Sequence, residues 1–273
     1  MCRMLIAVGN IEMNKIIDGT IAMAKDQNQQ HEFNHNKQGS WTHADGWGIA
    51  YLKDNQWIIN KSTKAIYEDE SIKHFRNIKT NAVIMHVRKK SVGETKPENT
   101  HPFHENSINI GEFIFCHNGT INNNLNYSPE FSAKGQTDSE KLFYSILTNL
   151  KEKKMVDAVR NSLKKIDSIS GTNLILANSE SSLIAAKKSN HPKYFQMSLG
   201  KKEDCIIISS EVLPKIEQIQ WHSIEEGSII TLNHKTLQFV VHKEIKAIGQ
   251  RNPWRSKSDE PMHQPVLVES IPV

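Results

Sequence analysis

Apolar residues recur along this chain in two rhythms. Short uninterrupted runs at Met4–Val8, Ala82–Val87 and Glu112–Cys116 have the length of strands buried on both faces. Gly46–Leu52 and Gln56–Asn60 flank the polar stretch Lys53–Asn55 and predict a hairpin. Four later segments, Asn173–Ala177, Leu183–Lys187, Cys205–Ser209 and Ser228–Leu232, repeat the strand pattern. A helical period appears in three places. Asn14–Asp26 carries Ile16, Ile17, Ile21 and Met23, and Gln136–Lys151 carries Leu142, Phe143, Ile146, Leu147 and Leu150. Met155–Ile166 repeats it with Val156, Val159, Leu163 and Ile166. The second helix opens on Thr137-Asp138-Ser139-Glu140, the pattern of a capping box. His31–His43 and Lys89–Asn109 are polar and predict loops. Strands, two helices and strands again predict one layered α+β domain over 1–248. The segment 249–273, with four of the nine prolines and no periodicity, predicts a draped extension.

Composition narrows the class without naming it. The 273 residues are 37% hydrophobic and 23% charged, which excludes a disordered polyelectrolyte. A net charge of +4 is too small and too dispersed to predict a nucleic-acid partner. No run approaches the roughly 18 apolar residues of a membrane span, and Met4–Val8 is shorter than a signal-peptide core. Three scattered cysteines, Cys2, Cys116 and Cys205, form neither a disulfide framework nor a CxxC zinc site. The expectation is a reduced, cytoplasmic protein acting on a small molecule, in which the sequons at Asn60, Asn118 and Asn126 carry no glycosylation meaning.

Four features bear on chemistry. Cys2 stands directly before a buried strand, and removal of Met1 by an aminopeptidase would give it a free α-amine. Such amines titrate near 7.7–8.0, so nucleophile and general base would share one residue. Otherwise Cys2 simply follows the start codon. In Phe113-Ile114-Phe115-Cys116-His117-Asn118-Gly119, the Asn-Gly pair reads equally as a hairpin turn or as two donors for an oxyanion. Arg88 closes a strand, where its guanidinium could grip a carboxylate or form a surface ion pair. Asp138 in the first turn of a helix complements the macrodipole, or receives a substrate ammonium. The histidines match no metal-ligand template, so neither metal nor organic cofactor is expected.

Together these pieces resemble the class II glutamine amidotransferases, N-terminal nucleophile hydrolases, and within them the stand-alone YafJ-like subgroup that includes γ-glutamyl amidases. The likeness rests on Cys2 with its strand, HADGWGIAY at 43–51, HVRKKSVGE at 86–94, ENTHPF at 98–103, FCHNGTI at 115–121 and GQTDSEKLF at 135–143. It implies a four-layer αββα sandwich of two antiparallel sheets between helix layers. It further implies Cys2 as nucleophile with its amine as proton shuttle, and Asn118 and Gly119 as the oxyanion hole. Arg88 would hold the glutamyl carboxylate and Asp138 the ammonium, while His43–Trp47 would line the pocket, with Gly46 and Gly48 admitting close backbone. His101 would order its loop. Ser91-Val92 stands where larger amidotransferases carry a Thr-His pair, so Ser91 alone remains to touch the carboxylate. The implied reaction is hydrolysis of a γ-glutamyl amide through a thioester. The alternatives are a glutaminase feeding ammonia to a separate synthase partner, and a catalytically silent interaction subunit of the same fold.

Overall fold

Strands with no polar face need cover on both sides, and the chain supplies it by stacking two sheets between helices. The computed structural model describes residues 1–35, 37–166, 168–187 and 189–242, so the predicted extension at 249–273 and the domain boundary at 248 lie outside the described residues. The first sheet contains β1 (Arg3–Gly9), β2 (Trp47–Lys53), β3 (Gln56–Ser62) and β4 (Ala82–Val87). The second begins with β5 (Phe103–Ser107), β6 (Gly111–Ile121), β7 (Ser168–Ala177) and β8 (Ser181–Lys187). Then β9 (Ser198–Lys202), β10 (Cys205–Ser209) and β11 (Gln220–Ser223) return to the first sheet, and β12 (Ile229–Asn233) and β13 (Phe239–His242) complete the second. The strand orders are β11-β9-β10-β1-β4-β2-β3 and β13-β12-β8-β7-β6-β5. All strand pairings among the described residues, β1 with β10 and β4 included, are antiparallel.

Period-2 alternation sorts side chains into three cores. Met4, Ile6 and Val8 of β1, with Ile84 and Ile206, meet Ile114, Cys116, Ile175 and Ile184 between the sheets. Leu5, Ala7, Val83, Met85 and Ile207 face outward onto helix α1 (Met13–Ala24), through its Ile16, Ile17 and Met23. On the far side, Phe113, Phe115, Leu174 and Leu176 pack under α2 (Asp138–Leu150) and α3 (Met155–Lys164), through Leu142, Phe143, Val159 and Leu163. Each fully buried aliphatic contributes about 1.5–3 kcal/mol. The result is the α+β αββα sandwich that the motifs imply, with a short helix α4 (Pro192–Phe195) beside β7.

The departures have local causes. Lys89–Asn109 is not all loop: it contains a 3₁₀ turn at Pro97–Asn99 and the edge strand β5, whose sequence Phe-His-Glu-Asn-Ser lacks the apolar content that marks interior strands. β9, β11 and β13 carry Gly, Lys, Gln and His at a sheet edge or next to one, and escape the pattern for the same reason. Asn118-Gly119 is no hairpin turn; β6 runs through it to Ile121, paired with Asn173 and Thr172, before a bulge. The hairpin between β2 and β3 does form where it is predicted, with Asp54 and Asn55 at φ 49° and 65°. Thr137 accepts from the Glu140 backbone N–H as a capping residue should, but the Glu140 carboxylate turns to the N–H groups of Lys134 and Gly135. None of the described helices is long and apolar enough to cross a membrane.

Candidate active site

Three strand ends and one helix start converge at one end of the sandwich. Arg3 pairs with Val87, so Cys2 and Arg88, each one residue beyond, lie side by side on the first sheet. The alternation that points Met4 and Ile84 between the sheets carries Cys2 and Arg88 to that same face. On the second sheet, Ile114 and Cys116 point inward, and Asn118 follows in phase. The sheets thus present Cys2 and Asn118 to each other, and the Cys2 backbone N–H donates to Asn118 Oδ1 at 2.8 Å. That bond fixes the amide orientation. Asn118 Nδ2 is left fully buried with no partner among the described residues, a donor in want of an acceptor. Gly119 sits where any Cβ would lie 2.4 Å from the Gly171 carbonyl oxygen, so only glycine fits.

Cys2, Arg88, Ser91, Gly119 and Asp138 line one common cavity, together with His101 and His117. Its space is about 20 Å³, the room of a single water. The Arg88 loop and the N-terminus bear on it. The Arg88 guanidinium donates to the carbonyls of Val92, at 3.0 Å, and Glu94, at 3.1 Å, folding the 89–96 loop over the site. The Met1 ammonium donates to the carbonyl of Lys89, which lines the cavity, at 2.6 Å, and Cys2 is 8% exposed. Asp138 spans both worlds: it lines the cavity while its Oδ2 accepts from the Ile121 N–H at 2.6 Å, tying the end of β6 to the start of α2.

Gly46 and Trp47 lie elsewhere. The Gly46 carbonyl accepts from the Arg88 N–H at 2.8 Å, so Gly46 holds the arginine's backbone without lining the cavity. Trp47 is out of phase with the inward-facing Ala50 and Leu52 and is buried on the α1 side, edge-on to Phe75, with its indole N–H donating to Asp69. None of His43, Gly46 and Trp47, expected in the pocket wall, lines this cavity, and the 43–47 segment supports Cys2 and Arg88 from behind. His43 Nε2 lies 3.0 Å from the Tyr194 hydroxyl, which donates to the Cys2 carbonyl at 3.2 Å. Gly48 admits the 101–102 segment, since a Cβ there would lie 2.1 Å from the His101 carbonyl oxygen.

Several supporting residues escape sequence reasoning. Arg3 is wholly buried, with Nε 2.8 Å from Glu211 Oε1 and its guanidinium 3.8 Å above the Tyr194 ring. Neither partner is near it in sequence, and an arginine in an apolar strand gives no hint of either. His117 faces α2, its Nδ1 2.8 Å from Ser139 Oγ, and burial lowers its imidazole to about 4. Burial likewise lowers His86 to about 3 and holds His101 well below the usual imidazole range, so the rings around the cavity are neutral at physiological pH. A thiol, an arginine and a carboxylate line one cavity, with the orphaned Asn118 amide bonded to the Cys2 backbone behind it, and these belong to the class of groups that acyl transfer uses.

The comparisons agree with that class. Residues 21–191 match the class-II glutamine amidotransferases, and the chain belongs to this family. It is 33% identical over 150 residues to a Haemophilus influenzae protein named for the same family, covering 50% of each. It is 27% identical over 228 residues to the glutamine–fructose-6-phosphate aminotransferase of Aquifex aeolicus, covering 79% of this chain and 36% of that one. Glutamine phosphoribosylpyrophosphate amidotransferase from B. subtilis superposes with a TM-score of 0.66 over 90% of this chain and 50% of its own, at 15% identity. The chain thus spans about half the length, or less, of these relatives.

Proposed function

We propose that the protein hydrolyses the γ-glutamyl amide of glutamine or of another γ-glutamyl compound, with Cys2 as nucleophile. The observation that carries this reading is the bond from Cys2 N to Asn118 Oδ1, which leaves Asn118 Nδ2 buried with no partner among the described residues. Once Met1 is removed, the same nitrogen becomes an α-amine held by Asn118, next to its own sulfur. Cys2 Sγ attacks the amide carbon while the amine takes the thiol proton. The oxyanion receives Asn118 Nδ2–H and the Gly119 N–H. The amine then protonates the departing nitrogen, and water resolves the glutamyl thioester. Arg88 and Asp138 hold the α-carboxylate and α-ammonium, with Ser91 beside the carboxylate. For this, the Arg88 guanidinium exchanges the carbonyls of its own loop for the substrate, so loop opening accompanies binding.

The test compares two forms of the chain, one with its N-terminus confirmed as Cys2 by intact mass and one blocked by a retained Met1. Glutamate release from glutamine and from a panel of γ-glutamyl dipeptides is expected only from the first. Equal release from both forms, or none from either, sinks the reading. In the processed form, Asn118→Ala is expected to lower kcat by about 10²–10³ with KM little changed, the cost of one oxyanion donor. Preference within the panel separates a stand-alone amidase from an ammonia donor, which would favour glutamine and respond to a synthase partner.

A further inference from the structure

A second and larger cavity, about 240 Å³, opens on the other side of the 98–103 segment from Cys2. It lies between β3, β5 and the first turns of α2. Its floor is apolar, from Ile59 and Phe103. Lys61 of β3 is mostly buried in its wall, 5.3 Å above the Phe103 ring, and its ammonium makes no hydrogen bond or ion pair among the described residues. A cation stripped of water and given no counter-ion is costly, and burial lowers the Lys61 amine to about 8. Glu140 and Glu98 offset that cost only in part, and neither forms an ion pair with Lys61. The Glu140 carboxylate is spent on the Lys134 and Gly135 N–H groups, and His104 is paired with Glu112 at 2.9 Å.

The remaining charges decide what fits. Glu98 stands exposed on the rim and forms no ion pair among the described residues. Lys134 and Glu140 add one more charge of each sign to the lining, and neither Lys61 nor Glu98 is held in an ion pair among the described residues. A bare anion would meet both glutamates, and a bare cation both lysines. A zwitterion satisfies the set. We propose that this cavity binds a free α-amino acid, with its carboxylate against Lys61, its ammonium towards Glu98 and an apolar side chain over Ile59 and Phe103. Tyr144, beside Glu140, closes the inner end.

The proposal is independent of the Cys2 chemistry, so its probe is L-leucine, which has no γ-amide. Ligand-observed NMR on the full chain should show leucine binding, with 4-methylpentanoate and isopentylamine, which keep one charge each, binding at least about tenfold more weakly. Lys61→Met should weaken leucine about tenfold or more. Glu98→Gln should weaken leucine while leaving 4-methylpentanoate as strong or stronger. In the unmodified chain, acetylation of Lys61, followed by peptide mass, should slow when leucine is added. This last readout needs no variant and survives any failure of Lys61→Met to fold. Absence of leucine binding, binding unchanged in Lys61→Met, or 4-methylpentanoate binding as tightly as leucine each overturns the proposal.

Discussion

Cys2→Ala is expected to reduce glutamate release to the uncatalysed background, the largest kinetic effect available in this chain. Removing the nucleophile of another covalent hydrolase costs about 10⁶ in kcat, because the remaining groups act through it. Here the oxyanion donor and the base both converge on Cys2: Asn118 is oriented by its backbone nitrogen, and on our reading its own amine moves the proton. The substitution removes one sulfur from a side chain next to an existing cavity, so the change in stability should stay under about 1 kcal/mol. Intact mass on the active protein should trap a glutamyl adduct on Cys2, and the variant should show none. Undiminished release from Cys2→Ala would place the nucleophile elsewhere.

Arg3→Met should be the most destabilising single change near the site. Arg3 and Glu211 are 0% and 1% exposed, and burial pushes the Glu211 carboxyl up even with Arg3 beside it. Removing the guanidinium strands a buried carboxylate, which in other proteins costs about 3–5 kcal/mol. The variant also loses the bond from Arg3 to the Tyr194 carbonyl at 2.6 Å and the contact with the Tyr194 ring. The carboxyl then has to take up a proton to stay buried, so the loss should shrink as pH falls through the raised Glu211 value. Urea unfolding at two pH values measures both the size and the sign. Arg3→Met/Glu211→Leu should recover part of the loss. A cost below about 1 kcal/mol at neutral pH would mean that water reaches the pair.

What could be read from the chain follows from where each signal is stored. Strands buried on both faces declare themselves as continuous apolar runs, so β1, β4 and the centre of β6 were legible. Edge strands such as β5 and β11 are half-solvated, and their polar sequence hides them. Cys2, Arg88 and Asp138 were visible as chemical types in a family order, and all three line one cavity. Trp47 shows the limit: motif membership put it in the pocket, yet its parity against Ala50 and Leu52 was already in the sequence and assigns it to the opposite face. Tyr194 and Glu211 could not be found, because their partner Arg3 is about two hundred residues away and only the folded sheets bring them together.

The place of β1 in its sheet sets a clock on maturation. β1 lies between β4 and β10, and Leu5 pairs with Ser209, so the strand behind Cys2 cannot be enclosed until the ribosome has delivered most of the chain. At about 5–20 residues per second, that leaves on the order of ten to forty seconds. During that interval the first residues are accessible to an aminopeptidase. Afterwards Met1 is fastened to Lys89, and the bond to be cut lies against the cavity wall. If Cys2 acts as proposed above, excision of Met1 would meet least resistance during synthesis, before the bond from its ammonium to the Lys89 carbonyl forms.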